Sequence, residues 1–195
     1  MVELVDYSAE MLAEAKRNAE EGGVAGRISF RQGDLSAIPA FFPEPAFDLV
    51  VCHNVLQYVD DLEAALKALS RGLKPGGLIS ILCVNRYSES FRHALMFQDL
   101  DAAQASLDAR SMLTITFGVP AALYAAEDMR APLQAAGCSV VGEYGVRCVC
   151  DYIANNEIKN EPEFFAKLER LEHALTDKHP YYLLARFFQI IARKA

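Results

Sequence analysis

The opening of the chain constrains its fold most. Val2-Glu3-Leu4-Val5 is a short, mostly apolar strand that ends on Asp6, and Ser8 stands where it can cap a helix. Residues 9–21 then follow a helical rhythm. Met11, Leu12, Ala15 and Ala19 form one side, and Lys16, Arg17, Glu20 and Glu21 the other, until Gly22-Gly23 stops the pattern. A strand feeding straight into an amphipathic helix, with a second strand at Ile28-Ser29-Phe30, predicts a parallel α/β arrangement.

The alternation continues. Gly33-Asp34 closes the second strand, and Pro39, Pro43 and Pro45 mark a loop. Phe47-Asp48-Leu49-Val50-Val51-Cys52 is nearly continuous apolar sequence, as expected of a parallel strand buried on both faces. His53 to Tyr58 turns off its end. Asp60 or Asp61 begins a helix with Leu62, Ala65, Leu66 and Leu69 inward, and Lys74-Pro75-Gly76-Gly77 makes a tight turn into the strand Leu78 to Val84. The pattern is doubly wound α/β with its first strand-helix unit missing, because no glycine-rich strand-turn stands ahead of Val2.

At 195 residues the chain fits a single domain, residues 1–195. An apolar fraction of 52% excludes a disordered chain. No apolar run approaches the roughly 18 residues of a membrane span, and Met1-Val2-Glu3 does not open a secretory leader, so no membrane partner and a cytoplasmic location are expected. The five cysteines, Cys52, Cys83, Cys138, Cys148 and Cys150, lie among apolar residues and read as reduced thiols. Cys148 and Cys150 would share a face if their segment is a strand. His93, His173 and His179 are too widely spaced for a metal pattern, so no metal is expected. The net charge of -7 argues against broad nonspecific binding of nucleic acid, though it permits a local basic groove.

Beyond Val84, residues 86–112 are amphipathic and helical in pattern, through Phe91, Leu95, Met96, Leu100 and Leu107. The segment 86–120 is either a lid or a plain packing insertion. Ala126 to Gly137 reads as a helix, and Cys138 to Val149 as one or two edge strands. Residues 157–178 form a charged amphipathic helix, and Tyr181 to Ala192 is a last element whose type periodicity leaves open. Residues 145–195 form an extension expected on the substrate side.

In open α/β sheets, ligands bind beyond the carboxyl ends of the strands. Asp6, Asp34 and His53 stand at three successive strand ends. A carboxylate at the first can accept from both hydroxyls of a ribose, and one at the next from an adenine amino group. With Lys74-Pro75-Gly76-Gly77 before the last strand, this layout resembles the class I S-adenosylmethionine-dependent methyltransferases. The stretches that carry the resemblance are Leu4 to Met11, Gly33-Asp34-Leu35, Phe47 to Leu56 and Leu73 to Gly77. It implies a Rossmann-like sheet with helices on both faces and S-adenosyl-L-methionine as cofactor. By the same resemblance Asp6 holds the ribose, Asp34 with Leu35 the adenine, and His53 lies beside the methionine portion.

The C-terminal third is similar to that of bacterial tRNA 5-carboxymethoxyuridine methyltransferases, through Gly145-Val146-Arg147, Asp151-Tyr152, His179-Pro180-Tyr181-Tyr182 and Ile191-Ala192-Arg193-Lys194. That implies the anticodon region of a tRNA as partner and a carboxylate as methyl acceptor. A carboxylate is ionised near neutral pH and needs no general base, only alignment and a partner that fixes it. Arg147 is the candidate partner, with Tyr152 beside it; the plainer reading is a structural pair between Arg147 and Asp151. Tyr181 and Tyr182 are candidates to stack on a splayed base, or simply to pack at the rim. Two other functions fit the pattern: a methyltransferase of the same fold acting on a small carboxylate, and a non-catalytic binding protein.

Overall fold

The computed structural model describes residues 1–114 and 118–195. Residues 115–117, which belong to the segment read as lid or insertion, lie outside the described residues. Strand β1 (Val2–Asp6) leads into helix α1 (Ala9–Glu21), whose first turn is capped as the sequence predicts: the Ser8 hydroxyl accepts from the Met11 amide at 3.1 Å. Strand β2 (Ile28–Gln32) pairs in parallel with β1, in register from Val2↔Ile28 to Asp6↔Gln32. A short helix α2 (Ile38–Phe41) crosses to strand β3 (Phe47–His53). Helix α3 (Leu62–Arg71), capped by Asp61, and strand β4 (Leu73–Val84) complete the parallel part. Lys74 to Gly77, read as a turn ahead of the strand, fall within β4; there Gly76 takes a φ of 78°, and a Cβ on Gly77 would sit 2.9 Å from the Lys74 carbonyl oxygen, so neither position accepts a larger residue without strain.

Helices α4 (Arg86–Met96) and α5 (Leu100–Ala105) follow, then a small ribbon of β5 (Ser111–Leu113) and β6 (Pro120–Ala122). Helix α6 (Arg130–Ala135) precedes strand β7 (Cys138–Val146), and helix α7 (Pro162–Leu175) precedes strand β8 (Phe187–Lys194). The element left open by periodicity is therefore a strand. β8 runs antiparallel between β4 and β7, giving a sheet of order β3-β4-β8-β7. β7 is an edge strand with a bulge between Val140 and Gly142. It ends at Val146, so Cys148 and Cys150 do not share a strand face; Cys150 instead opens a 3-10 turn to Tyr152.

The core lies on one face of the four-stranded sheet. Ile79 and Ile81 of β4 and Ile190 of β8 pack against Leu66 of α3 and Met129 and Leu133 by α6, all almost fully buried. Burying a side chain of this size contributes about 1.5–3 kcal/mol, so these contacts dominate the stability of the sheet. The other face is different. Its residues on β3, Leu49 and Val51, are 55% and 57% exposed, so the strand expected to be buried on both faces is buried on one. The reason is that α3 and α6 join the same core cluster, while α1 packs on β1 and β2. Among the described residues β1 pairs only with β2, and β3 only with β4, so each has one edge without a strand partner.

Candidate active site

The parallel pairing of β1 with β2 brings Asp6 and Asp34 to neighbouring strand ends, where the Gly33 amide donates to the Asp6 carbonyl at 3.0 Å. Asp6 Oδ1 accepts the Ser8 amide at 2.8 Å, which fixes the carboxylate at the helix entrance. Its second oxygen has no hydrogen bond to the described residues and remains an acceptor for a ligand. Asp34 caps the turn that follows, accepting through one oxygen from the Ser36 hydroxyl at 2.5 Å and from the amides of Ser36 and Ala37. The Ser36 hydroxyl, followed by the Ser36 amide, holds this exposed carboxyl below the usual carboxylate range. Leu35 is half-buried and packs on the core beneath. Both carboxylates thus carry a structural bond on one oxygen and leave the other available.

His53 ends β3, on the separate sheet. Its Nε2 lies 2.8 Å from the hydroxyl of Ser80 on β4, which also accepts from Gln189 Nε2 of β8 at 2.9 Å. Burial pulls its pKa below the ordinary 6.5, so the ring is neutral at physiological pH. His53 shares its strand face with Leu49 and Val51. Asn54, the next residue, takes a left-handed φ of 56°, and from there the chain turns into the wall of a cavity.

That cavity has a volume of about 780 Å³. Its floor is the carboxyl edge of the sheet: Asn54 after β3, Val84 at the end of β4, and Phe187, which pairs with Val84 at the start of antiparallel β8. Its other walls are α4, α5 and β5, in the segment read as lid or insertion. Glu89, Arg92 and His93 of α4 line it at helical spacing, with Gln57 and Tyr58 on the other side. Gln57 is only 5% exposed, and its carboxamide oxygen has no hydrogen-bond partner among the described residues. Glu89 is buried and forms an ion pair with buried Arg186, which also donates to the Ser88 hydroxyl at 3.1 Å.

The two residues read from sequence as the acceptor's partners are elsewhere. Arg147 pairs with Asp151 and its guanidinium lies 5.7 Å from the Phe187 ring centroid. The Tyr152 hydroxyl donates to the Leu184 carbonyl, and burial pushes its pKa up. Neither lines the cavity. The charged residues that do, Glu89, Arg92 and Arg186, were missed. The i, i+3 spacing of Glu89 and Arg92, and an arginine set inside the apolar run Leu183 to Phe188, were the available signals.

The first strand, Asp6 at its end, and a cavity on the carboxyl edge of the sheet are the arrangement of the class I S-adenosylmethionine-dependent methyltransferases, which the chain resembles in sequence and in fold. A methyltransferase domain family matches residues 1–81. The tRNA 5-carboxymethoxyuridine methyltransferase of Escherichia coli (strain K12) is 29% identical over 194 residues, which is 98% of this chain and 70% of that enzyme. A ubiquinone/menaquinone biosynthesis C-methyltransferase of Cellvibrio japonicus is 38% identical, but over 79 residues, 40% of this chain and 31% of its own length. Among solved structures, a putative S-adenosylmethionine-dependent methyltransferase from Listeria monocytogenes superposes with a TM-score of 0.62 at 16% identity, over 99% of this chain and 79% of the other. The [4+2]-cyclase SpnF superposes with a TM-score of 0.60 at 20% identity, over 98% of this chain and 65% of SpnF. At such identities the structures establish the fold, and a cyclase among them shows that the fold alone does not set the chemistry.

The family's cofactor is S-adenosyl-L-methionine, and the residues present fit its adenosine half. Asp6 offers an unoccupied carboxylate oxygen at the end of β1, and Asp34 another at the adjoining strand end.

Proposed function

We propose that the chain transfers a methyl group from S-adenosyl-L-methionine to the carboxylate of a 5-carboxymethoxyuridine in the anticodon region of a tRNA. The observation that carries this reading is the cavity at the carboxyl edge of β3 and β4, combined with similarity to the tRNA enzyme over 98% of the chain. At about 780 Å³ the cavity is the size of a small-molecule or nucleoside pocket, and it begins one residue beyond His53. A single base splayed from an anticodon loop enters such a pocket without the rest of the RNA following it.

Asp6, Asp34 and Leu35 would hold the adenosine end of the donor, with His53 toward its methionine end. When bound, the cofactor supplies an electrophilic methyl group on a sulfonium. The acceptor carboxylate is ionised near neutral pH, so no side chain has to remove a proton. The protein's contribution is alignment and exclusion of water by the walls of α4 and α5. His53, its Nε2 held by the Ser80 hydroxyl, would fill space and hydrogen-bond beside the methionine end of the donor.

The test is methyl transfer from labelled cofactor to tRNA bearing unmethylated 5-carboxymethoxyuridine, run beside free small carboxylic acids. Label in the tRNA, lost in Asp6→Ala, supports the reading. Label in the small acids alone assigns a small-molecule substrate, the alternative that the net charge of -7 favours. Calorimetric titration with S-adenosylhomocysteine separates both from a non-catalytic binding protein, which would show no heat.

A further inference from the structure

Three arginines and two carboxylates cluster beside the cavity, and Glu89, Arg92 and Arg186 among them line it. Arg186 is paired with Glu89, and Arg147 with Asp151. Asp151 also lies 3.9 Å from Arg186, so both carboxylates are committed. Arg92, on α4, makes no ion pair and no hydrogen bond among the described residues. The cluster therefore carries one unbalanced positive charge, and it belongs to a residue that lines the cavity.

The state of the Arg92 side chain is informative. Its guanidinium sits 5.0 Å from the Phe97 ring centroid. Stacking on a ring occupies the face of the guanidinium and leaves its N–H donors in the plane, free for a planar anion. Burial, and next the positive charge of Arg186, pull its pKa below the ordinary arginine value. The other two arginines cannot take that role. Drawing Arg186 toward a ligand would strand Glu89 in the interior, and Arg147 is paired with Asp151 and does not line the cavity.

We propose that Arg92 is the residue that receives the anionic group of the methyl acceptor, through a forked pair of hydrogen bonds inside the cavity walled by α4. The proposal rests on the carboxylate reading above and names the side chain that would enforce it. It has a consequence for turnover: methylation converts the carboxylate to a neutral ester, which removes the charge that Arg92 holds and favours release of the product.

The test is calorimetric binding to the whole chain of three probes: 5-carboxymethoxyuridine, its methyl ester, and phenoxyacetate, which keeps the carboxymethoxy group on a plain aromatic ring. The unsubstituted protein should bind the acid about tenfold or more tightly than the ester, the range for a hydrogen bond to a charged group. Arg92→Met should erase that preference and leave ester binding unchanged, and Arg92→Lys should retain part of it. If Arg92→Met does not fold, the ¹⁵N resonance of the Arg92 side chain in the unsubstituted protein should move with either acid and stay still with the ester. Arg92-dependent binding of phenoxyacetate without binding of the nucleoside would sink the tRNA reading and leave this assignment standing. An acid preference that survives in Arg92→Met, a side-chain resonance that ignores both acids, or no binding of either acid overturns the assignment.

Discussion

Glu89→Ala tests how the cavity is held together. Glu89 is 4% exposed and pairs with Arg186, itself 8% exposed. Removing one partner of a buried pair costs roughly 3–5 kcal/mol, because the remaining charge is left without compensation. Here Arg186 keeps its bond to the Ser88 hydroxyl and the carboxylate of Asp151 at 3.9 Å, so the loss should fall near the lower limit, about 3 kcal/mol. For a chain of this size each kcal/mol moves the melting temperature by about 2–4 °C. Glu89→Ala should therefore lower Tm by about 6–12 °C, with a matching fall in the urea midpoint at unchanged m-value. Replacing both partners, Glu89→Leu with Arg186→Met, removes the stranded charge and should recover most of the loss. A fall in Tm below about 2 °C for the single variant, or a double variant as unstable as the sum of its parts, would refute the account of a desolvated pair.

Three further outcomes follow from the structure. Glu172 of α7 accepts from the amides of Cys148, Val149 and Cys150 at 2.6, 2.9 and 2.8 Å, so Glu172→Ala should cost about 2–4 kcal/mol as three charge-assisted bonds are lost to one partly wet loop, measured by urea denaturation; a loss under about 1 kcal/mol would show that water replaces them. Burial pushes the thiols of Cys52 and Cys148 up to about 12, and that of Cys83 up as well, so Ellman's reagent in mildly alkaline buffer should label them only as fast as the protein unfolds. The His53 pKa lies below the ordinary 6.5 in the folded chain, so the unfolded chain takes up the proton first as pH falls; stability should drop as pH falls through 6.5 toward the folded value, and His53→Gln should remove that part of the slope. A His53 ring titrating by NMR at or above 6.5 would contradict it.

What the sequence showed depended on how locally each feature is decided. The Ser8 cap, the Gly22-Gly23 stop and the Asp61 cap involve neighbours within four residues; the first two appear where the pattern placed them, and Asp61 is one of the two starts it offered beside Asp60. β8 was ambiguous because apolar residues fall on both of its faces: Phe188, Ile190 and Ala192 are buried on one side, while Phe187 and Ile191 are half-buried on the other, beside Gln189. Apolar residues on both faces blur the period. The single helical pattern over 86–112 breaks at Gln98, which takes a φ of 55°, and restarts on the Asp99 cap before the chain enters β5. Strand ends were legible from polarity, so Asp6, Asp34 and His53 stood out. The charged lining of the cavity was not, because Glu89 and Arg186 are 97 residues apart and only the sheet brings them together.

The end of β3 shows how one residue can serve two sides of a site. His53 follows strand alternation and shares a sheet face with Leu49 and Val51, where Ser80 and Gln189 hold its ring. Continued extended backbone would send the next residue to the opposite face, into the core with Cys52. The left-handed φ of 56° at Asn54, a conformation Asn tolerates better than other residues with a side chain, breaks that alternation. The Asn54 amide still donates to the Leu82 carbonyl at 2.7 Å, so the sheet stays hydrogen-bonded through the break. The 3-10 turn from Leu56 to Tyr58 then buries Leu56 beneath and sets Gln57 and Tyr58 on the cavity wall. The residues read as facing the donor and those that line the cavity thus adjoin at a single peptide. A donor held at the strand ends and an acceptor held beside α4 would meet there, and that proximity is what in-line transfer between two bound molecules requires.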